Sequence, residues 1–96
     1  MKHDKELIKK LGIEIFYKPG AFDCFSVVIR NDVYGMSKNP RSAMGFNVYR
    51  GDISEFDREA LGSKISFEEC PEEVQEAIIE RAKGYVKEPQ DKTFTR

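Results

Sequence analysis

The chain has 96 residues, of which 34% are charged and 40% hydrophobic, and a formal net charge of −1. That length implies one domain with one principal core, and the hydrophobic content is too high for a disordered chain. The near-neutral balance removes the bulk attraction used by strongly basic nucleic-acid binders, and no apolar run reaches the ~20 residues of a membrane span.

Lys2 to Leu11 is predicted to form a short helix. Leu7, Ile8 and Leu11 recur on one face. Asp4 and Glu6 lie toward the positive end of the helix dipole, and Lys9 and Lys10 toward the negative end. Gly12 supplies a left-handed stop. Ile13 to Lys18 alternates as a strand before a Pro19-Gly20 turn. Cys24 to Arg30 is the clearest strand, with Phe25, Val27 and Ile29 on one face and Ser26, Val28 and Arg30 on the other. Asn31-Asp32 is the expected hairpin turn, and Val33 to Met36 the returning strand. Ser37 to Ala43 should be an exposed loop around Asn39-Pro40, followed by a strand from Gly45 to Arg50.

Ile53 to Lys64 has few large apolar residues and reads as an irregular acidic connection with at most one helical turn. Ser66 and Glu69 match a capping box, and Pro71 suits a first helical turn. A second helix should follow, with Val74, Ala77, Ile78 and Ala82 on one side, Arg81 at its edge and Gly84 as a candidate stop, unless Tyr85 and Val86 extend it by a turn. The resulting class is α+β: a small antiparallel sheet of three to four strands, with an N-terminal and a C-terminal helix packed against it. Residues 1–88 form the expected domain, and 89–96 the expected flexible tail.

Classical catalytic and metal patterns are absent from the sequence. His3 is the sole histidine and lies near a terminus, where general-base or ligand chemistry is poorly supported. Cys24 and Cys70 lack the spacing of a zinc site. Cys24 suits a small buried hydrophobe. Cys70 precedes a helix start, which favours a thiolate, but the neighbouring Glu68, Glu69, Glu72 and Glu73 oppose one. The charged beginning carries no apolar stretch that would mark secretion, so a cytoplasmic setting and two reduced thiols are expected. No cofactor motif is found, since Gly35, Gly45 and Gly51 are too widely spaced for a phosphate loop.

The functional signal is a segregation of charge. Residues 25–51 carry four cations and one acid, whereas 52–80 carry ten acids and two cations. Within the first stretch, Tyr34, Lys38, Asn39, Arg41, Phe46, Asn47, Tyr49 and Arg50 make a candidate binding surface. Tyrosine, arginine and phenylalanine there suit a protein hot spot. The same interleaving of aromatics and cations suits stacking on bases, which makes nucleic acid the alternative partner. Glu68, Glu69, Glu72 and Glu73 form a second, acidic candidate surface for a basic partner. The leading expectation is a non-enzymatic regulatory module working through protein–protein contact. Such a role suits a small accessory protein, including one carried by a phage or mobile element, and self-association is a further partner class. No metal and no catalytic residue is assigned.

Overall fold

The computed structural model describes residues 2–42 and 44–94, with side chains described over 5–42, 44–49, 53–54 and 56–86. Alternating apolar residues build four strands: β1 (Glu14–Tyr17), β2 (Phe25–Ile29), β3 (Asp32–Met36) and β4 (Phe46–Asp52). A fifth, β5 (Ser63–Ile65), pairs with β1. The sheet order is β4-β3-β2-β1-β5, and every neighbouring pair is antiparallel. The sheet therefore has one strand more than the three to four expected. Ser-Lys-Ile is too short and too polar to show an alternation, and it becomes a strand because Ile15, Phe16 and Tyr17 of β1 offer an open edge.

The hairpin between β2 and β3 closes one residue earlier than expected. Ile29 pairs with Asp32, so Arg30-Asn31 is the turn, and Arg30 adopts a left-handed φ of 58°. The earlier closure keeps Val28 opposite Val33 and Val27 opposite Tyr34. Each pair thus shares one side of the sheet, and a slip of one residue would invert both.

Helix α1 (Lys2–Leu11) and helix α3 (Glu72–Phe94) pack together on one side of the sheet. Between them and the sheet lies the main core. It includes Leu11, Ile15, Phe25, Val27, Ile29, Tyr34 and Met36 against Val74, Ala77, Ile78 and Ala82. Each large aliphatic side chain taken fully out of water there contributes about 1.5–3 kcal/mol. Both cysteines are free and buried within this core.

Gly84 does not stop α3. The helix continues through it to Phe94, and both Tyr85 and Val86 pack on the core. The expected tail, 89–96, falls where side chains lie outside the described residues. The capping box of Ser66 and Glu69 is present, but it starts a short turn ahead of α3 and not α3 itself. The Glu69 carboxylate accepts the Ser66 N–H at 2.9 Å, and the element they close is a 3₁₀ turn (Phe67–Glu69). Pro71 stands one residue before α3 and not within its first turn, its carbonyl accepting the Gln75 N–H at 2.9 Å.

The opposite side of the sheet carries a smaller core of Phe16, Val28, Val33 and Ile53, with Tyr49, Phe56 and Leu61 packed against it. The acidic connection supplies its cover through a 3₁₀ turn (Ile53–Glu55) and one short helix, α2 (Arg58–Leu61). Asp57 caps α2 by accepting the Glu59 N–H at 3.0 Å. Arg58 donates to Glu14 of β1 at 2.7 Å, and Lys64 reaches the same carboxylate at 3.5 Å. The two cations of the acidic stretch thus tie it to the sheet, and together they hold the Glu14 carboxyl below its usual range.

Candidate functional site

A cavity of about 700 Å³ opens between the β3–β4 edge of the sheet and α3. Its floor follows from strand alternation. Tyr34 and Met36 project toward α3, and Phe46 joins them because it pairs with Met36. The Tyr34 and Phe46 rings lie 5.7 Å apart at a tilt of 45°. The other wall comes from α3, where Ala77, Arg81, Gly84 and Tyr85 recur at helical spacing. The Arg81 guanidinium sits over both rings, 5.1 Å from the Tyr34 centroid and 5.2 Å from that of Phe46.

Two polar clusters border this floor. Tyr85 donates its hydroxyl hydrogen to the Asp32 carboxylate at 2.5 Å and also bonds the Tyr34 hydroxyl. With the Tyr85 hydrogen used on Asp32, Tyr34 is the donor in the second bond. Burial, reinforced by these bonds, pushes the Tyr85 phenol well above the usual tyrosine range. On the other flank Arg41 donates to Glu80 at 2.9 Å and lies 3.7 Å from Glu76. These carboxylates raise its already high pKa.

A third cluster occupies the opposite side of the sheet. Asp23 accepts two bonds from the Asn47 side-chain amide, at 3.0 and 3.2 Å, and one from the Tyr49 hydroxyl at 3.0 Å. Gly35 makes room for it. A Cβ at that position would stand 2.5 Å from the Tyr49 hydroxyl oxygen and 2.9 Å from Asp23. Burial and then the Asp23 contact push the Tyr49 phenol up to about 12.

The candidate basic surface is therefore divided. Tyr34, Arg41 and Phe46 border the cavity, whereas Asn47 and Tyr49 face the other way. Lys38 is exposed and has no ion-pair partner among the described residues. Asn39 belongs to the loop framework: its N–H donates to Ser37 Oγ at 3.1 Å, and its carbonyl accepts from both Ser42 N–H and Ser42 Oγ. The Arg50 side chain lies outside the described residues, as does that of His3. Arg30 and Lys38 flank opposite ends of β3, separated by about 17 Å of extended strand.

The acidic surface is likewise partly occupied. Glu68 pairs with Lys5 at 3.2 Å; backbone hydrogen bonding and then this lysine lower its pKa, and Glu69 serves its local cap. Glu72 and Glu73 are exposed on the first turn of α3. Cys70 is buried, and burial followed by Glu69 and Glu68 pushes its thiol up to about 11, against thiolate chemistry. Asp23, Asp32, Arg81 and Tyr85 did not stand out in the sequence. Arg81 was legible as an edge residue of its helix, but its two aromatic partners lie more than thirty residues away in the chain.

The open edge of β4 completes the picture. The Ser37 N–H donates to the Gly45 carbonyl at 2.9 Å. Since bonded and non-bonded pairs alternate along an antiparallel ladder, Gly35–Asn47 and Val33–Tyr49 are the next bonded pairs in this register. Phe46 and Val48 therefore direct their N–H and C=O groups away from β3, toward the sheet's outer edge. Val48 is 58% exposed, and Met44 just before the strand is 71% exposed. Tyr34 and Met36 are buried, so the exposed apolar surface near this edge comes from Met44 and Val48.

Among the described residues no group of three or more His, Cys, Asp or Glu is placed to hold a metal ion, and no helix is long and apolar enough to cross a membrane. No family model, curated protein or solved structure matches the chain.

Proposed function

We propose that this chain is a non-enzymatic binding module that takes up an extended segment of a protein partner along the outer edge of β4. The supporting observation is that edge itself. Phe46 and Val48 present outward backbone donors and acceptors, and the run Phe46–Tyr49 carries no charged residue. Solvent-facing edge strands are usually guarded by charge, proline or a bulge. Here the register shifts only beyond Tyr49, between the Val33–Tyr49 and Asp32–Asp52 pairs, which leaves the first four residues of β4 as a regular template. An added strand would gain affinity from main-chain hydrogen bonds and specificity from side chains reaching neighbouring pockets. Val48 beside that edge supplies apolar contact, and the cavity beyond Phe46 supplies a receptacle.

The nucleic-acid reading has less support. Arg41 is engaged by Glu80 and Glu76, Arg30 and Lys38 are separated by the length of β3, and Tyr34 and Tyr49 face opposite ways. A stacking platform needs its aromatics and its cations on one surface.

The test is selection of a displayed library of random heptapeptides on the purified protein, followed by amide hydrogen exchange of the resulting complexes. Selected peptides are expected to slow exchange at Phe46 and Val48. Val48→Pro removes one outward donor without touching the ladder to β3, a substitution an edge strand tolerates, and it should abolish peptide binding while the fold persists. Peptides that bind Val48→Pro as well as the original, or that protect amides elsewhere, would refute the proposal. Protection of Phe46 and Val48 by concentration alone would identify the occupant as a second copy of the chain.

A further inference from the structure

We infer that Arg81 anchors a carboxylate of the bound segment, so that the partner presents an acidic side chain toward the cavity; this rests on the strand-addition reading above. Two of the charges near the cavity already have partners. Glu80 is bonded by Arg41, and Asp32 accepts the Tyr85 hydroxyl. Arg81 differs from both. Its guanidinium carbon lies 5.1 Å from the Tyr34 ring centroid and 5.2 Å from that of Phe46, yet its N–H groups meet no acceptor among the described residues. Attraction to the two rings holds the guanidinium at the cavity and leaves its donors without protein acceptors among the described residues, an arrangement suited to the planar fork of a carboxylate. A cationic ligand is poorly served by the same site, because Arg81 already occupies the ring faces that would attract it.

Geometry connects this group to the edge of β4. Phe46 lies directly beneath Arg81, 5.2 Å from ring centroid to guanidinium carbon. A strand added outside β4 would run about 4.8 Å from it. The residue of that strand opposite Phe46 would share its side of the sheet, since paired residues point the same way. A glutamate there would project on the side of the sheet where Arg81 lies, and its long side chain suits the span. The neighbouring Asp32 is held by Tyr85, and its charge would disfavour acids placed further toward the hairpin, which narrows the requirement to one position of the partner.

The experiment uses the heptapeptides selected on the intact protein. Binding of each is measured by calorimetry beside a twin in which its acidic residue is replaced by the corresponding amide. The protein is taken as the original, as Arg81→Gln and as Arg81→Lys, with folding of both variants checked by circular dichroism. The acidic peptide is expected to bind the original about tenfold more tightly than its amide twin, the usual scale for a charge-assisted hydrogen bond. Arg81→Gln should remove that preference and Arg81→Lys should restore part of it. Selected peptides without an acidic residue, equal binding of the twins, or a preference that survives Arg81→Gln would overturn the inference. In those cases protection of the Phe46 and Val48 amides would show the strand-addition reading intact. Absence of that protection would remove both.

Discussion

The two sides of the sheet are built from the same strands but stabilised in different ways. The side facing α1 and α3 is continuous and aliphatic, with Val27, Ile29, Met36, Val74 and Ile78 fully enclosed. The opposite side has a small apolar cluster covered by an irregular acidic segment, and beside it a hydrogen-bonded group of Asp23, Asn47 and Tyr49. Periodic elements can bury a long stripe because every third or fourth residue of a helix returns to the same face. A short 3₁₀ turn and a four-residue helix offer one or two anchors each, so polar bonds such as Arg58 to Glu14 must fix the cover in place.

The largest test of this contrast is a pair of truncations. Ile78→Ala empties the middle of the main core and should cost about 2–5 kcal/mol, because the surrounding strands cannot collapse into the space. Ile53→Ala on the other side should fall near the bottom of that range, about 2 kcal/mol, since its irregular cover can relax. Urea unfolding of both variants gives the comparison. Equal losses would mean that the two sides are equally rigid.

Gly35→Ala probes the polar side next. The added methyl would press on the Tyr49 hydroxyl and on Asp23, and should cost about 1–3 kcal/mol in thermal or urea unfolding. Loss confined to the hydrogen bonds, without a change in stability, would show that this group only decorates the surface.

Alkaline titration sharpens the same point. Tyr49 should ionise near pH 12 when followed by phenolate absorbance, and Asp23→Asn should bring it down toward the ordinary value of 10. Because its folded pKa is raised, the stability linked to this group is fully present below pH 10 and is lost as pH rises through about 12. A Tyr49 that titrates normally would break the argument that Asp23 and burial hold its proton.

The cysteines separate core from surface on a slower readout. Both are 5% exposed, and the Cys70 thiol is pushed up to about 11. Alkylation of native protein at pH 8 should therefore proceed far more slowly than in urea, where unreduced protein should take up two adducts. A species refusing both adducts in urea would indicate a disulfide. The smallest expected effect belongs to Lys38→Glu, an exposed loop change that should stay within about 0.5 kcal/mol.

Much of the architecture was legible because periodicity survives in the sequence. The alternation of β2 set Phe25, Val27 and Ile29 on one face, which the structure packs with Val74 and Ile78, and the helical stripe of 74, 77, 78 and 82 found its core face. The three-residue β5 was not legible, since its conformation is imposed by pairing with β1. The end of α3 was only partly legible for a similar reason: an extension by one turn through Tyr85 and Val86 was open, but the helix runs on to Phe94. Gly84 weakens a helix locally, but the contacts of Tyr85 and Val86 extend it.

The candidate site shows the same division more sharply. Composition singled out 34–50 as a segment rich in aromatics and cations, and that segment does border the cavity through Tyr34, Arg41 and Phe46. Composition could not report that strand pleating sends Asn47 and Tyr49 to the far side, or that Glu76 and Glu80 neutralise Arg41. What the sequence alone determined was which residues are apolar, in what period, and hence the α+β class and the helix-facing core. Only the tertiary structure decided the site. Arg81 over Tyr34 and Phe46, Tyr85 on Asp32, and the outward backbone of Phe46 and Val48 all arise from long-range pairing, where contact depends on register and packing and leaves no local signature in the chain.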